Sequence, residues 1–300
     1  MKLWPGAQLT DLTGKTALIT GANSGIGFYA AQGLVQAGAR VILACRNAEK
    51  AAQAVAQIGP QARFELLDLA DFESIHAFAQ RLQTQTDKID ILLNNAGVMA
   101  PPARQTTRQG FELQFGVNFL GHFLLTSLLW KQICNTPAPR VVQVASVAHR
   151  RGRLNWDDLQ SEQHYHGRNT YRQSKLAMLV FAQALARKAV QNHWPVCSVA
   201  AHPGIAATEL VRNGPGPKSL IAFLQKIAAP WIQQSAEAGA WPLLAAATDP
   251  LASQGAYYGP QGRLEYRGPP GPAIIEPHAQ DTPNEETLWE IATALTGARF

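Results

Sequence analysis

Cysteine, charge and long apolar runs are all scarce in this 300-residue chain. Cys45, Cys134 and Cys197 are an odd number at spacings that match neither a zinc ligand pair nor a redox pair. No disulfide framework is expected, and the three thiols read as small buried hydrophobes. Charged residues are 16% of the chain against 46% hydrophobic, which excludes wholesale disorder and allows a sizeable core. No apolar run is long enough to cross a bilayer. The start, Met1-Lys2-Leu3-Trp4-Pro5-Gly6, lacks the apolar stretch of a secretion signal, so the expected address is the cytoplasm. The formal net charge of +5 is spread out, with one short cluster at Arg150, Arg151 and Arg153. A solvated basic surface, or attraction for an anionic ligand, accounts for it better than nucleic acid does. His149, His164, His166 and His202 show no paired spacing with a carboxylate or thiolate on one helix face. They read as loop or surface histidines, and no metal site is expected.

What the chain does have is alternation. Compact apolar runs fall at Lys15 to Thr20, Arg40 to Cys45, Ala62 to Leu66, Ile89 to Leu93, Arg140 to Val144 and Val196 to Ala200. Each is separated from the next by a helix-length segment with apolar residues at helical spacing. Buried strands joined by crossover helices give a parallel sheet covered on both faces, the doubly wound α/β architecture. No linker cuts the chain in two. The Pro/Gly-rich stretches at Asn213 to Pro217 and Arg267 to Pro272 read as loops or late insertions, and Glu285 to Leu295 reads as a closing helix.

Between the first run and the first helix lies Thr20-Gly21-Ala22-Asn23-Ser24-Gly25-Ile26-Gly27. Three glycines sit where the backbone must turn sharply and approach a pyrophosphate, and the helix that follows offers unpaired N–H groups and the positive end of its dipole. After a strand and before a helix, this pattern points to a dinucleotide. The end of the second run decides which one. An acid there would accept from the adenosine ribose of NAD, but this chain has Cys45 and Arg46. A guanidinium grips the 2′-phosphate of NADP, so NADP(H) is expected over NAD(H), with a solvent-facing Arg46 as the alternative.

Tyr171 and Lys175 lie four residues apart, on one face of a helix. A cation beside a phenol stabilises the phenolate and brings its pKa toward the working range, although the same spacing also fits a solvated surface pair. Taken with the glycine loop, the pair makes the chain resemble the short-chain dehydrogenase/reductase family. Asn94-Asn95-Ala96-Gly97, Asp68-Leu69, Asn118, Ser146 and Pro203-Gly204 with Thr208 all fall in that family's order. Closer still, Asn118 to Thr126, Ser146-Val147-Ala148-His149 and the long interval from Ser146 to Tyr171 are similar to the retinol-dehydrogenase-like branch. Ala145 departs from it, replacing a common serine, and a membrane-anchoring N-terminal segment is lacking.

The resemblance implies one Rossmann-like domain over 1–300, with a core at 15–205, a substrate lid region at 206–250 and a C-terminal extension at 251–300. It implies Asn118, Ser146, Tyr171 and Lys175 as the catalytic set. Ser146 and Tyr171 would donate to the reacting oxygen, Lys175 would also hold the nicotinamide ribose, and Asn118 would hold a water leading from Lys175 to solvent. Gly21, Asn23, Ser24, Gly25, Ile26, Gly27, Arg46, Asp68, Leu69, Asn95, Ala96, Gly97, Pro203, Gly204 and Thr208 would join Tyr171 and Lys175 in binding the cofactor. The reaction implied is interconversion of an alcohol and a carbonyl on a small apolar molecule. Reduction of a carbon–carbon double bond, as in protochlorophyllide reductase, and a non-catalytic NADP-binding sensor are the alternatives. After Thr208, the apolar residues Leu210, Val211, Leu220, Ile221, Phe223, Leu224, Ile227 and Trp231 could line a substrate pocket, or face the core or a second copy of the chain.

Overall fold

The computed structural model describes residues 1–7, 9–206 and 234–300. Thr208, the stretch 213–217 and the apolar residues from Leu210 to Trp231 lie outside them. The described strands are β1 (Thr16–Thr20), β2 (Arg40–Cys45), β3 (Ala62–Leu66), β4 (Ile91–Asn94), β5 (Arg140–Val144), β6 (Cys197–Ala201), β7 (Tyr257–Pro260) and β8 (Pro270–Pro272). They form one sheet in the order β3-β2-β1-β4-β5-β6-β7-β8, parallel except for the antiparallel β8. The described α-helices are α1 (Gly25–Gln36), α2 (Ala48–Ile58), α3 (Phe72–Gln85), α4 (Leu113–Phe115), α5 (Gly121–Leu128), α6 (Trp130–Cys134), α7 (Gly167–Gln191), α8 (Ala236–Thr248) and α9 (Thr282–Thr296). A π-helical turn, Gly116–Leu120, joins α4 to α5.

Strand alternation divides the core in two. Leu18 of β1 faces the layer built on α3, α5, α7 and α9, while Ala17 and Ile19 face α1, α2 and α8. The first layer is anchored by Phe123, whose ring meets Phe119, Phe181, Trp289 and Phe300 at centroid separations of 5.0 to 5.9 Å. Helix α8 is the last part of the segment assigned from sequence to a lid; it packs against α1 and the sheet. Between β1 and β4 the strand order reverses, which opens a crevice beyond their C-terminal ends where doubly wound sheets take their ligands.

Several expectations need correction. β4 begins at Ile91 because Asp90, buried just ahead of it, turns its carboxylate to the Thr16 N–H (2.9 Å) and the Lys15 ammonium (3.0 Å). β3 is an edge strand, only partly buried, with Leu66 exposed at its end. Arg267 to Pro272 is not simply loop. Proline cannot donate to a ladder, but an edge strand leaves one side unpaired, and β8 pairs there with β7. The closing helix runs Thr282–Thr296, longer than expected, and ends on Gly297 in the left-handed conformation. Cys45 is buried, but Cys134 and Cys197 are only half-buried. His164 and His166 are exposed as expected, whereas His149 and His202 are fully buried. Arg150 is not solvated surface: it pairs with Glu265 (2.8 Å) and approaches Glu276 (3.8 Å). Among the described residues, no helix is long and apolar enough to cross a membrane.

Phe123 is fully enclosed by four aromatic neighbours, so truncation leaves a cavity that these large rings cannot collapse into. Phe123→Ala is expected to lower the unfolding free energy by about 3–5 kcal/mol in a denaturant titration. A change below about 1 kcal/mol would show that the aromatic cluster does not anchor this layer.

Candidate active site

The glycine loop begins with a left-handed Gly21 (φ 66°) packed against the segment after β4. A Cβ there would lie 2.9 Å from Ala96 Cα, and one on Gly27 would lie 2.6 Å from Asn95 Nδ2. Only bare Cα atoms let the two loops close on each other. Asn95 Nδ2 fastens them by donating to Thr20 O (2.7 Å) and more weakly to Gly21 O (3.3 Å). Helices α2, α3 and α8 each have a side-chain cap, from Asn47, Asp71 and Ser235, but Ser24 gives α1 none. The opening N–H groups of α1, without a cap from Ser24, are thus left for an anion. These features fit a dinucleotide diphosphate.

At the end of β2, Cys45 is buried and its thiol takes hydrogen bonds from the Ala22 and Asn23 backbone, beneath the loop. Burial pushes its pKa up to about 11. Arg46, next in the chain, is exposed. Asp68 and Leu69 do not end β3, which stops at Leu66; they form the turn beyond it. The Asp68 carboxylate accepts from Ala70 N (2.9 Å), and Leu69 packs under Gly121. Gly204, also left-handed, follows Pro203 just past β6.

Thr20, His122 and Asn118 tie these pieces together. His122 Nδ1 lies 2.8 Å from the Asn118 carbonyl, which can only accept, so Nδ1 carries the proton. Nε2 is then an acceptor for the Thr20 hydroxyl at 2.8 Å, a closer partner than the Leu93 carbonyl at 3.4 Å. Thr20 Oγ1 in turn accepts from the N–H groups of Asn95 and Ala96, both at 2.9 Å. Asn118 accepts from Val98 N (2.8 Å) and donates to Val98 O (3.0 Å) and Ser174 Oγ (2.9 Å). The Ser174 hydroxyl donates in turn to the Tyr171 carbonyl (2.9 Å). Neither Thr20 nor His122 was singled out from sequence, although His122 lies one helical turn from Asn118 and thus on its face.

The remaining groups converge on α7. Ser146, just past β5, caps a short 3-10 turn (Val147–Arg151) and places its hydroxyl against the Tyr171 phenol. Lys175, one turn along, is buried and donates to Val144 O at 2.8 Å. Its ammonium and the Asn118 amide both border the bare Cα of Gly97. A tyrosine pKa lowered by the neighbouring lysine is not what these side chains produce. Burial drives Tyr171 up to about 12, opposed only by the Ser146 hydrogen bond, and drives Lys175 down to about 8. Thr208 lies outside the described residues; of the others, all but the exposed Arg46 lie on the loops and helices that follow the C-terminal ends of the strands or brace them, and Arg46 directly follows β2.

The sequence from 15 to 215 matches the family model described as short chain dehydrogenase. Human retinol dehydrogenase 12 is 37% identical over 298 residues, covering 97% of this chain and 89% of the relative. Human retinol dehydrogenase 11 is 43% identical over 208 residues, 68% of this chain and 64% of the relative. The crystal structure of an uncharacterised protein from Mycobacterium paratuberculosis superposes with a TM-score of 0.82 at 35% identity, covering 100% of this chain and 99% of the other. The chain belongs to the short-chain dehydrogenase/reductase family, and its likeness is to the retinol dehydrogenases within it. It is an oxidoreductase acting on CH–OH or carbonyl groups of a small molecule with a nicotinamide cofactor.

The buried imidazoles make stability depend on pH. Burial holds His122 at about 3 and His149 at about 4, against 6.5 for a free imidazole. In the window below pH 6.5 the unfolded chain binds protons that the folded chain refuses, so stability falls as the pH drops. From pH 7 to pH 5 each of the two is expected to cost about 2 kcal/mol of unfolding free energy. Denaturant titrations across that range should show the loss, and a smaller one in His122→Gln; a flat profile in the wild type would contradict the assigned neutral rings.

Proposed function

We propose that this chain is an NADP(H)-dependent oxidoreductase that interconverts an alcohol and a carbonyl on an apolar small molecule, with Tyr171 as the proton-transferring group. The observation that carries the reading is the meeting of the Ser146 hydroxyl and the Tyr171 phenol, one helical turn from the Lys175 ammonium. Ser146 follows the C-terminal end of β5, and the glycine loop opens at the C-terminal end of β1 in the same parallel sheet. A bound nicotinamide supplies the hydride for reduction and accepts it in oxidation. The protein's part is position and charge. As a carbonyl is reduced, charge develops on its oxygen, where Ser146 and Tyr171 are the preplaced donors. Tyr171 then gives up its proton, and Lys175, one turn along, would hold the nicotinamide ribose. Held near pKa 12 by burial, Tyr171 is protonated at neutral pH, the form that carbonyl reduction needs.

Preference for NADP(H) rests on the end of β2, where the Cys45 thiol is buried and no carboxylate is present to repel a 2′-phosphate, while Arg46 is exposed and able to reach one. The apolar substrate class draws on the relatives named retinol dehydrogenases and on the apolar residues after Thr208.

Tyr171→Phe is expected to abolish turnover while leaving NADPH binding within about threefold of wild type, since it removes only the proton-transferring hydroxyl. Wild-type turnover by the folded variant on an active aldehyde would falsify that role. Arg46→Ala should weaken NADPH binding by about ten- to a hundredfold and NADH binding far less, as expected for loss of a charge-assisted contact. Dissociation constants for both cofactors decide it: equal losses, or tighter NADH binding by the wild type, would withdraw the NADP assignment.

A further inference from the structure

Outside the residues just assigned, one buried carboxylate is bonded to two of the loops that frame the site. Glu265 belongs to the C-terminal part of the chain, in a short turn (Arg263–Glu265) between β7 and β8. Its Oε2 accepts from His202 Nε2 at 2.8 Å and forms an ion pair with Arg150 Nη2 at the same distance, and its Oε1 accepts from Ile274 N at 3.0 Å. The turn is held in an unusual shape. Leu264 (φ 56°) and Glu265 (φ 57°) are successive left-handed residues that carry side chains, a conformation that persists only where the surroundings enforce it.

The two partners lead to the loops that follow the neighbouring strands β5 and β6. Arg150 lies on the 3-10 turn that Ser146 caps, and its Nη1 also donates to Leu264 O (3.3 Å). His202 is fully buried at the end of β6, directly before Pro203-Gly204. Its Nδ1 accepts from Gly204 N (3.2 Å), so its proton is on Nε2 and points at the carboxylate. The neutral ring is therefore wired between Glu265 and the Gly204 backbone. The main chain reinforces the join: Tyr266 O accepts from Ile205 N at 2.9 Å, and a Cβ on Gly204 would run into that same carbonyl.

We propose that Glu265 is a positioning residue for hydride transfer, one carboxylate that locks the turn after Ser146 to the Pro203-Gly204 loop. The proposal rests on the alcohol–carbonyl reading above. Charge-assisted bonds are short and directional, which suits a carboxylate to the task. The dinucleotide's phosphates would be held at the glycine loop, none of whose residues is a partner of Glu265, so loosening this clamp should cost rate far more than affinity. The chemical step is more sensitive, because a misplacement of about 1 Å costs rate on the order of a hundredfold.

The test uses the full chain, NADPH and an aldehyde that the wild type reduces. Glu265→Gln keeps the shape but withdraws the charge from Arg150 and His202. It is expected to lower kcat by about ten- to a hundredfold, to raise the deuterium isotope effect from 4-deuterated NADPH, and to leave the NADPH dissociation constant within about threefold. Arg150→Met should lower kcat in the same sense, and the double variant should lose less than the product of the two single losses. Should Glu265→Gln fail to fold, Glu265→Asp retains the charge on a shorter arm and should show the same split between kcat and affinity. Unchanged kcat and isotope effect in a folded variant, with only the melting temperature lowered, would make Glu265 a structural group and overturn the proposal alone. A wild type that binds NADPH but reduces no carbonyl overturns the underlying reading, and the proposal with it.

Discussion

The Thr20 hydroxyl has one proton to give and two lone pairs to fill, and the structure uses all three. It donates to His122 Nε2 and accepts from the amides of Asn95 and Ala96. The end of β1, the segment just past β4 and helix α5 are thereby fixed to one another at a single buried atom. From there an unbroken chain of hydrogen bonds runs through His122 to the Asn118 carbonyl, and from the Asn118 amide through Ser174 to the Tyr171 carbonyl. The loop shaped for a diphosphate and the helix that carries the phenol therefore share one register. The π-turn has a place in this: it delivers Asn118 to Val98 and Ser174 at once, and helical irregularities of this kind recur at functional sites.

Burial acts on the acid–base pair in a way that spacing alone does not reveal. A phenol and an ammonium one turn apart suggest a tyrosine made more acidic, yet desolvation penalises both charged forms and moves the two groups toward neutrality from opposite sides. Lys175 keeps a carbonyl partner, Val144 O, and a pKa of about 8 leaves it mostly charged at neutral pH. Tyr171 stays protonated. The protein alone thus presents a proton donor backed by a cation, an arrangement ready to protonate an oxygen on which negative charge is developing.

Much of this was legible in the chain because it is local. Six of the seven parallel strands announce themselves as apolar runs, β7 being the one missed, and the glycine loop and the Tyr171/Lys175 pair are read from spacing within a single turn. What escaped was set by long-range partners. Arg267 to Pro272 looks like loop by composition, and only the free edge of β7 makes it a strand. Arg150 looks like part of an exposed basic cluster until Glu265, more than a hundred residues further on, folds back to meet it. His149 and His202 carry no local sign of burial, and the proton positions of His122 and His202 follow only from which partners can accept.

The central claim is that this site moves a hydride to a carbonyl carbon and a proton to its oxygen. It is tested most directly by mixing the wild-type chain and NADPH with a panel of apolar aldehydes and ketones, following the absorbance of the reduced nicotinamide and assaying the product. The account predicts that for at least one carbonyl the absorbance falls in step with alcohol formed, one NADPH oxidised per molecule of alcohol. NADPH that binds yet is consumed by no carbonyl in the panel, or consumption that yields a saturated carbon–carbon bond with the carbonyl intact, would contradict it.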